Sequence, residues 1–160
     1  MEHHVGFAIK DLEKIVHFYQ DILGFTILDL GIREGAEAAA PIGMSYVKYR
    51  ILRAIPPKGD FFIQFLQFEN ASDEWPHEKS HTSLGFNHVG IEVDDIDALY
   101  HQFKIHNIKT ESLPITQKIS GVKLLYVRDP EGNVLEFLQF PEERKIELQE
   151  QLQQLRKTKK

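Results

Sequence analysis

The sequence predicts an α+β fold built from two tandem βαβββ modules, and two observations predict it. The first is an internal repeat. His4-Val5-Gly6-Phe7-Ala8-Ile9-Lys10-Asp11-Leu12 recurs as His88-Val89-Gly90-Ile91-Glu92-Val93-Asp94-Asp95-Ile96, an offset of 84 (88 minus 4). Ile63-Gln64-Phe65-Leu66-Gln67-Phe68 recurs as Leu135-Glu136-Phe137-Leu138-Gln139-Phe140, an offset of 72 (135 minus 63). The second observation is a switch of hydrophobic period inside each copy, from alternation to helical spacing and back. The two modules are expected to form a curved, cup-shaped mixed sheet, with a C-terminal helix beyond it.

Each element follows from local pattern. Residues 3–9 alternate and are rich in β-formers, so they read as a strand. Asp11 is placed to cap a helix over 11–23, with Leu12, Ile15, Val16, Tyr19 and Leu23 on its apolar stripe and Gly24 at the left-handed position after it. In the second copy the strand is 88–93 and the cap is Asp95. Ile96, Leu99, Tyr100 and Phe103 form the stripe of a helix over 95–107, which Asn107 ends. Three strand-like runs follow each helix, at about 25–32, 44–54 and 61–68, then at about 108–117, 122–128 and 134–140. Each last pair is joined by a turn, Pro57-Lys58-Gly59-Asp60 or Asp129-Pro130-Glu131-Gly132-Asn133. The expected organisation is a first module at 1–68, a polar linker at 69–86, a second module at 87–140 and a helical tail at 141–160. Leu148, Leu152 and Leu155 give the tail an apolar edge that lies on the domain or on a second subunit.

Composition narrows the function classes. The chain has 160 residues, 42% hydrophobic and 27% charged, which suits a globular protein of two small repeats. A formal charge of −5 without a basic block before the extreme C-terminus argues against a nucleic-acid partner. No apolar run is long enough to span a membrane and the start has no secretory pattern, so a cytoplasmic location is expected. There is no cysteine, which excludes disulfides, thiolate metal sites and cysteine nucleophiles. Two modules with open sheet edges and an apolar tail helix point to a homodimer.

The repeat also places metal-ligand residue types at equivalent points. Side chains alternate along a strand, so Val89, Ile91 and Val93 share an apolar face that meets the helix, while His88, Gly90 and Glu92 face away. The same parity turns His4, Gly6 and Ala8 away from the first helix. Phe65 and Phe137 belong on the helix side, which puts Gln64 and Glu136 on the concave side. His4, Gln64, His88 and Glu136 then make an N2O2 set suited to one divalent cation. His3 has the opposite parity to His4; His17, His101 and His106 lie off the apolar stripes; His77 and His81 stand in the linker without apolar support. All six are expected at the surface.

These residues match a family. Residues 3–140 resemble the vicinal oxygen chelate superfamily, which includes glyoxalase I, methylmalonyl-CoA epimerase, fosfomycin-resistance proteins, extradiol dioxygenases and bleomycin-resistance proteins. The resemblance rests on His4 to Leu12, on Phe18-Tyr19-Gln20-Asp21-Ile22-Leu23-Gly24-Phe25, on Asn87 to Asp95 and on Asp129-Pro130-Glu131-Gly132-Asn133-Val134-Leu135-Glu136. It implies the same ligand positions, His4, Gln64, His88 and Glu136, in an arrangement similar to that of the epimerases. It further implies that Glu136 acts as the base. The epimerases' second catalytic glutamate has no counterpart in register, so Glu34 or Glu37 would have to replace it.

A dication held by two neutral imidazoles, one amide and one carboxylate has a net charge of about +1. Two positions stay open for two adjacent oxygens of a small-molecule substrate. The metal, of the series Zn, Ni, Co, Mn or Fe, would stabilise the charge that develops when a proton next to a carbonyl is removed. Glu92 shares the face of His88 and is a candidate for proton transfer or substrate orientation, or else a solvent-facing strand residue. Tyr126 and Arg128 alternate on one strand and are placed to contact an anionic substrate, although Arg128 equally suits a surface carboxylate. The expected activity is that of a glyoxalase-like lyase or isomerase. The alternatives are an extradiol-type Fe(II) dioxygenase and a non-catalytic small-molecule binder.

Overall fold

The structure is a computed structural model that describes residues 3–71 and 80–158, except the side chain of Thr158. The expected linker at 69–86 is therefore described only in part. Eight strands form two four-stranded mixed sheets. The first joins β1 (His3–Ile9), β2 (Thr26–Glu34), β3 (Lys48–Ile55) and β4 (Phe61–Phe68) in the order β1-β4-β3-β2. Its β1 runs parallel to β4, and its other pairs are antiparallel. The second joins β5 (Val89–Glu92), β6 (Ile115–Thr116), β7 (Lys123–Arg128) and β8 (Val134–Gln139) in the order β5-β8-β7-β6, with β5 parallel to β8. The shared order is the structural form of the sequence repeat.

Helices cover one face of each sheet, and their ends obey the local chemistry. The helix α1 (Leu12–Val16) starts at Asp11, whose side chain accepts the Lys14 N–H, and continues as a π-helix over His17–Ile22. The Leu23 N–H donates to the Phe18 carbonyl at 3.1 Å, five residues back. Gly24 follows at φ +70°. A short helix α2 (Ala36–Ala39) lies between β2 and β3. In the second sheet, α3 (Ile96–Ile105) starts at Asp95, which accepts the Ala98 N–H. Asn107, at φ 54°, closes it by the left-handed route, with the Ile108 N–H reaching the Phe103 carbonyl at 2.8 Å.

The helix-facing side chains are the core. Phe7, Ile9, Ile15, Tyr19, Ile63 and Phe65 are buried in the first sheet's layer, with the Tyr19 and Phe65 rings 4.8 Å apart. Val89, Ile91, Ile96, Phe103, Leu125 and Phe137 do the same in the second. Contacts divide the chain into two compact units: Met1–His88 with Arg128–Val134, and Val89–Val127 with Leu135–Lys160. The β7–β8 turn thus packs within the first unit. There Glu131 accepts the Lys10 and Asp11 N–H groups at 3.0 and 2.7 Å, and Asp129 accepts the Tyr19 hydroxyl at 3.0 Å.

Two segments differ from the sequence expectation. Residues 36–42 turn helically and β3 begins at Lys48 rather than at 44. The reason is the alanine run between Gly35 at φ 97° and Gly43 at φ 73°, which favours helix and is closed at each end by a residue free to turn. The run expected over 108–117 shrinks to Ile115–Thr116 and a lone bridge between Thr110 and Val127. Pro114 lacks the N–H that a longer ladder needs. The tail helix forms as expected, as α4 (Glu142–Thr158), with Leu152 and Leu155 exposed.

Candidate functional site

The open face of the first sheet carries His4 and Gln64. Along β1, His4, Gly6 and Ala8 are exposed while Phe7 and Ile9 are buried. The parallel register sets His4 beside Phe62 and Gly6 beside Gln64. Both candidate ligands therefore stand on the face opposite the helix, as parity requires. His4 is held by its neighbour: its ring stacks on Phe62 with centroids 5.0 Å apart and planes 9° from parallel. Gln64 is half-buried between the fully buried Ile63 and Phe65.

His88 is half-buried at the end of the same unit, and its Nδ1 faces a neighbouring amide. The Asn87 side-chain amine donates to the His81 carbonyl at 2.6 Å, which fixes the orientation of that amide. Asn87 Oδ1 then faces His88 Nδ1 at 3.0 Å and can only accept. A proton on Nδ1 satisfies this contact, and Nε2 is then the nitrogen a metal would use.

In the second unit, Glu136 lies on β8 between buried Leu135 and Phe137, with Gly90 beside it in the register. Tyr126 on β7 donates its hydroxyl to Glu136 Oε1. Burial first, then the carboxylate itself, pushes the Tyr126 phenol up to about 12. It therefore remains a donor throughout the neutral range. Gly90 leaves room beside the carboxylate: a Cβ there would lie 3.7 Å from Glu136 Oε2 and 3.2 Å from Leu138 Cδ1. Glu92 is exposed on the same face and pairs with Lys145 of α4 at 3.3 Å. Lys145 is held protonated, chiefly by Glu142 and then by Glu92.

Other candidates sit elsewhere. Arg128 donates to the Gly132 carbonyl at 3.2 Å, inside its own turn. Glu34 is exposed and accepts the Tyr46 hydroxyl at 2.6 Å, and Glu37 is exposed on α2. His3, His17, His81, His101 and His106 are exposed, and His17 pairs with Asp21. His77 lies outside the described residues. Among the described residues, no three His, Cys, Asp or Glu side chains are grouped closely enough to hold a metal ion. Two participants were not legible beforehand, Phe62 under His4 and Arg53 across from Gln64. Only the strand register reveals them.

Comparison with known proteins decides the family. Residues 3–137 match the sequence profile of the Glyoxalase/Bleomycin resistance protein/Dioxygenase superfamily. The chain belongs to this superfamily. Among its relatives, YaeR of Escherichia coli (strain K12) is 28% identical over 140 residues, covering 84% of this chain and 92% of YaeR. A lactoylglutathione lyase of Haemophilus influenzae is 24% identical over 151 residues, covering 85% of this chain and 90% of that protein. The crystal structure of a glyoxalase family protein from Bacillus cereus superposes with a TM-score of 0.75 at 21% identity, covering 86% of this chain and 91% of that one. The last likeness shows the glyoxalase fold, with its two four-stranded mixed sheets. Members of the glyoxalase superfamily commonly bind a divalent metal and small-molecule substrates. Among the described residues, no helix is long and apolar enough to cross a membrane.

Proposed function

We propose that the chain is a metal-dependent lyase or isomerase that moves a proton next to a carbonyl of a small substrate with two adjacent oxygens. The observation that carries this reading is the pre-set state of the donors. His88 has its Nδ1 committed to Asn87, His4 is fixed on Phe62, and Glu136 is held by a phenol that stays protonated. Held donors of this kind are what a metal-binding set uses to orient its ligands. Two imidazoles, one amide and one carboxylate suit the borderline cations Zn, Ni, Co, Mn and Fe. The names of the lactoylglutathione lyase relatives point to the same class of reaction.

His4, Gln64, His88 and Glu136 are not grouped as a metal site in this structure; a divalent cation that these four residues closed upon would supply a Lewis acid for two substrate oxygens. The chain's own groups do the rest. Glu136 receives the proton from the carbon next to the carbonyl. Tyr126 holds the Glu136 carboxylate in place at Oε1 and leaves the rest of the group to act. Gln64, as a fourth protein ligand, would favour proton transfer over oxygen activation, which needs positions open to dioxygen.

Elemental analysis of the purified protein should give one divalent metal per chain, and His88→Ala should lose most of it. Unchanged stoichiometry in that variant refutes the ligand assignment. Incubation with the hemithioacetal of methylglyoxal and glutathione, or with a chiral 2-substituted acyl thioester, in deuterated water should show metal-dependent exchange at the α-carbon. Oxygen uptake with catechols and Fe(II), without such exchange, would favour the dioxygenase reading instead.

A second copy of the chain is the protein partner this reading carries. The first half of α4 bears Glu142, Glu143, Glu147 and Glu150, and the chain ends in Arg156, Lys157, Lys159 and Lys160. Antiparallel pairing of two copies of α4 would set the acidic residues against Arg156 and Lys157 along the exposed Leu152 and Leu155. Sedimentation showing only monomer at micromolar concentration refutes it.

A further inference from the structure

We infer that Arg33 closes the free edge of the first sheet against strand addition by a second copy of the chain. Strand β2 is the last in the order β1-β4-β3-β2, so one of its sides has no strand beside it among the described residues. An unpaired edge presents N–H and C=O groups that another strand can pair with. The sequence of this edge raises the hazard. Ile27-Leu28-Asp29-Leu30-Gly31-Ile32 carries four large aliphatic side chains and a single charge. Leu28 is 45% exposed and Ile32 is 58% exposed. They pair with Arg53 and Arg50, so each face of the sheet offers one exposed aliphatic at this edge.

The middle of the edge is satisfied from within the chain instead. The register of β2 against β3 shifts between Asp29 and Gly31, which leaves Leu30 without a partner on β3. The Arg33 guanidinium folds back along the strand. Its Nη1 donates to the Leu30 carbonyl at 2.9 Å and to the Ile32 carbonyl at 3.1 Å. The ladder gives the direction of these carbonyls. The Gly35 N–H donates inward, to the Val47 carbonyl at 2.9 Å. Backbone groups alternate along an antiparallel strand, so those of Arg33 also point inward and those of Ile32 point out to the edge. The Gly31 N–H at the bulge is taken by Asp29 Oδ1 at 2.8 Å. Asp29 is gripped in turn by Arg50, whose Nε lies 3.2 Å from Oδ2. Arg50 first, and then the Gly31 N–H, holds the Asp29 carboxyl below its ordinary range.

Asp29 shapes the bulge, whereas Arg33 lies on the acceptors themselves. A strand docking on β2 has to displace the guanidinium before it reaches either carbonyl. It would also strip water from a charge beside aliphatic side chains. A second copy is the occupant that fits an uncovered edge. Two identical edges pair antiparallel about a two-fold axis, and the exposed aliphatics of each copy then cover those of the other.

The test is self-association of the full chain. Arg33→Ala removes an exposed side chain and should raise the self-association constant by about tenfold or more, the worth of a hydrogen bond to a charged donor. Sedimentation should show species heavier than the wild type that grow with concentration. Amide exchange over Thr26–Glu34 should slow as they form. Association of two copies through α4 would occur in both proteins and drops out of the difference. The wild type at about 1 M salt separates covered carbonyls from plain repulsion between copies, because charges are then screened beyond about 3 Å. Its exchange over 26–34 should not depend on concentration there. Arg33→Ala that keeps the wild-type mass at every concentration overturns the inference. So does assembly without slower exchange over 26–34, since the added contact then lies elsewhere. A wild type that assembles through 26–34 at high salt overturns it as well, since repulsion would then be the guard.

Discussion

Tyr126 shows how a single side chain can set the state of a candidate ligand. Its hydroxyl donates to Glu136 Oε1, and burial with the nearby carboxylate raises the phenol from its ordinary value to about 12. Removing the hydroxyl in Tyr126→Phe should therefore weaken metal binding about tenfold to a hundredfold, as loss of a ligand's orienting partner does, measured by competition with a chelator. The same group predicts an alkaline effect. A phenol whose folded pKa is raised contributes stability that is fully present below the unfolded value near 10 and is lost as pH rises through the folded value. The stability difference between wild type and Tyr126→Phe should stay constant below about pH 10 and shrink toward pH 12. A flat difference across that window, by denaturant titration, would show that the phenol is not held as described. At this scale the sequence was informative wherever alternation alone decides a side. His4, Gln64, Glu92 and Glu136 lie on the faces that parity gave them, because a two-residue period needs no knowledge of neighbours. Arg53 and Phe62 were silent for the opposite reason: their meaning comes from the strands they pair with.

Elements were legible where the two halves repeat and obscure where they diverge. Both cap aspartates, Asp11 and Asp95, accept the N–H three residues on, at 3.1 and 2.9 Å. Asp11→Ala and Asp95→Ala should each cost about 1 kcal/mol, read as a lower denaturant midpoint at unchanged slope. A loss well below that in both would mean the helices take their register from packing alone. The apolar stripe of 12, 15, 16, 19 and 23 gave the first helix its place but not its winding. In the π-helical stretch both Phe18 and Tyr19 are buried, because wider turns present adjacent residues to the sheet. Stripe spacing carries no sign of this, since either winding puts the same residues on the inner side. Likewise the short β6 and the helical turn at 36–42 have no counterpart in the other half to announce them.

At the level of the whole chain, the repeat conceals an exchange. The turn Arg128–Val134 belongs by sequence to the second repeat but packs within the first unit. Its anchor is Asp129, which is buried and accepts four hydrogen bonds. Oδ1 takes the N–H groups of Glu131 and Asn133, both at 2.9 Å; Oδ2 takes the Tyr19 hydroxyl at 3.0 Å and the Asn133 amide at 2.9 Å. Burial raises the carboxyl despite these donors, and burial also raises the Tyr19 phenol well above its ordinary value. Each group needs the other, since a phenol buried without an acceptor costs roughly 1–3 kcal/mol. Asp129→Ala should therefore loosen a helix 110 residues away along the chain. Hydrogen exchange should quicken through Leu12–Val16 and His17–Ile22 as well as in the turn itself. Tyr19→Phe should produce a milder version, because Asp129 keeps its other donors. The expectation rests on the phenol being the link, so the two variants together decide it. If exchange in Asp129→Ala quickens only over 123–139, the turn is a local device of its hairpin. If it quickens at both places, the first unit depends on a segment that the second repeat supplies, and residues 1–88 alone should fold less stably than they do in the full chain.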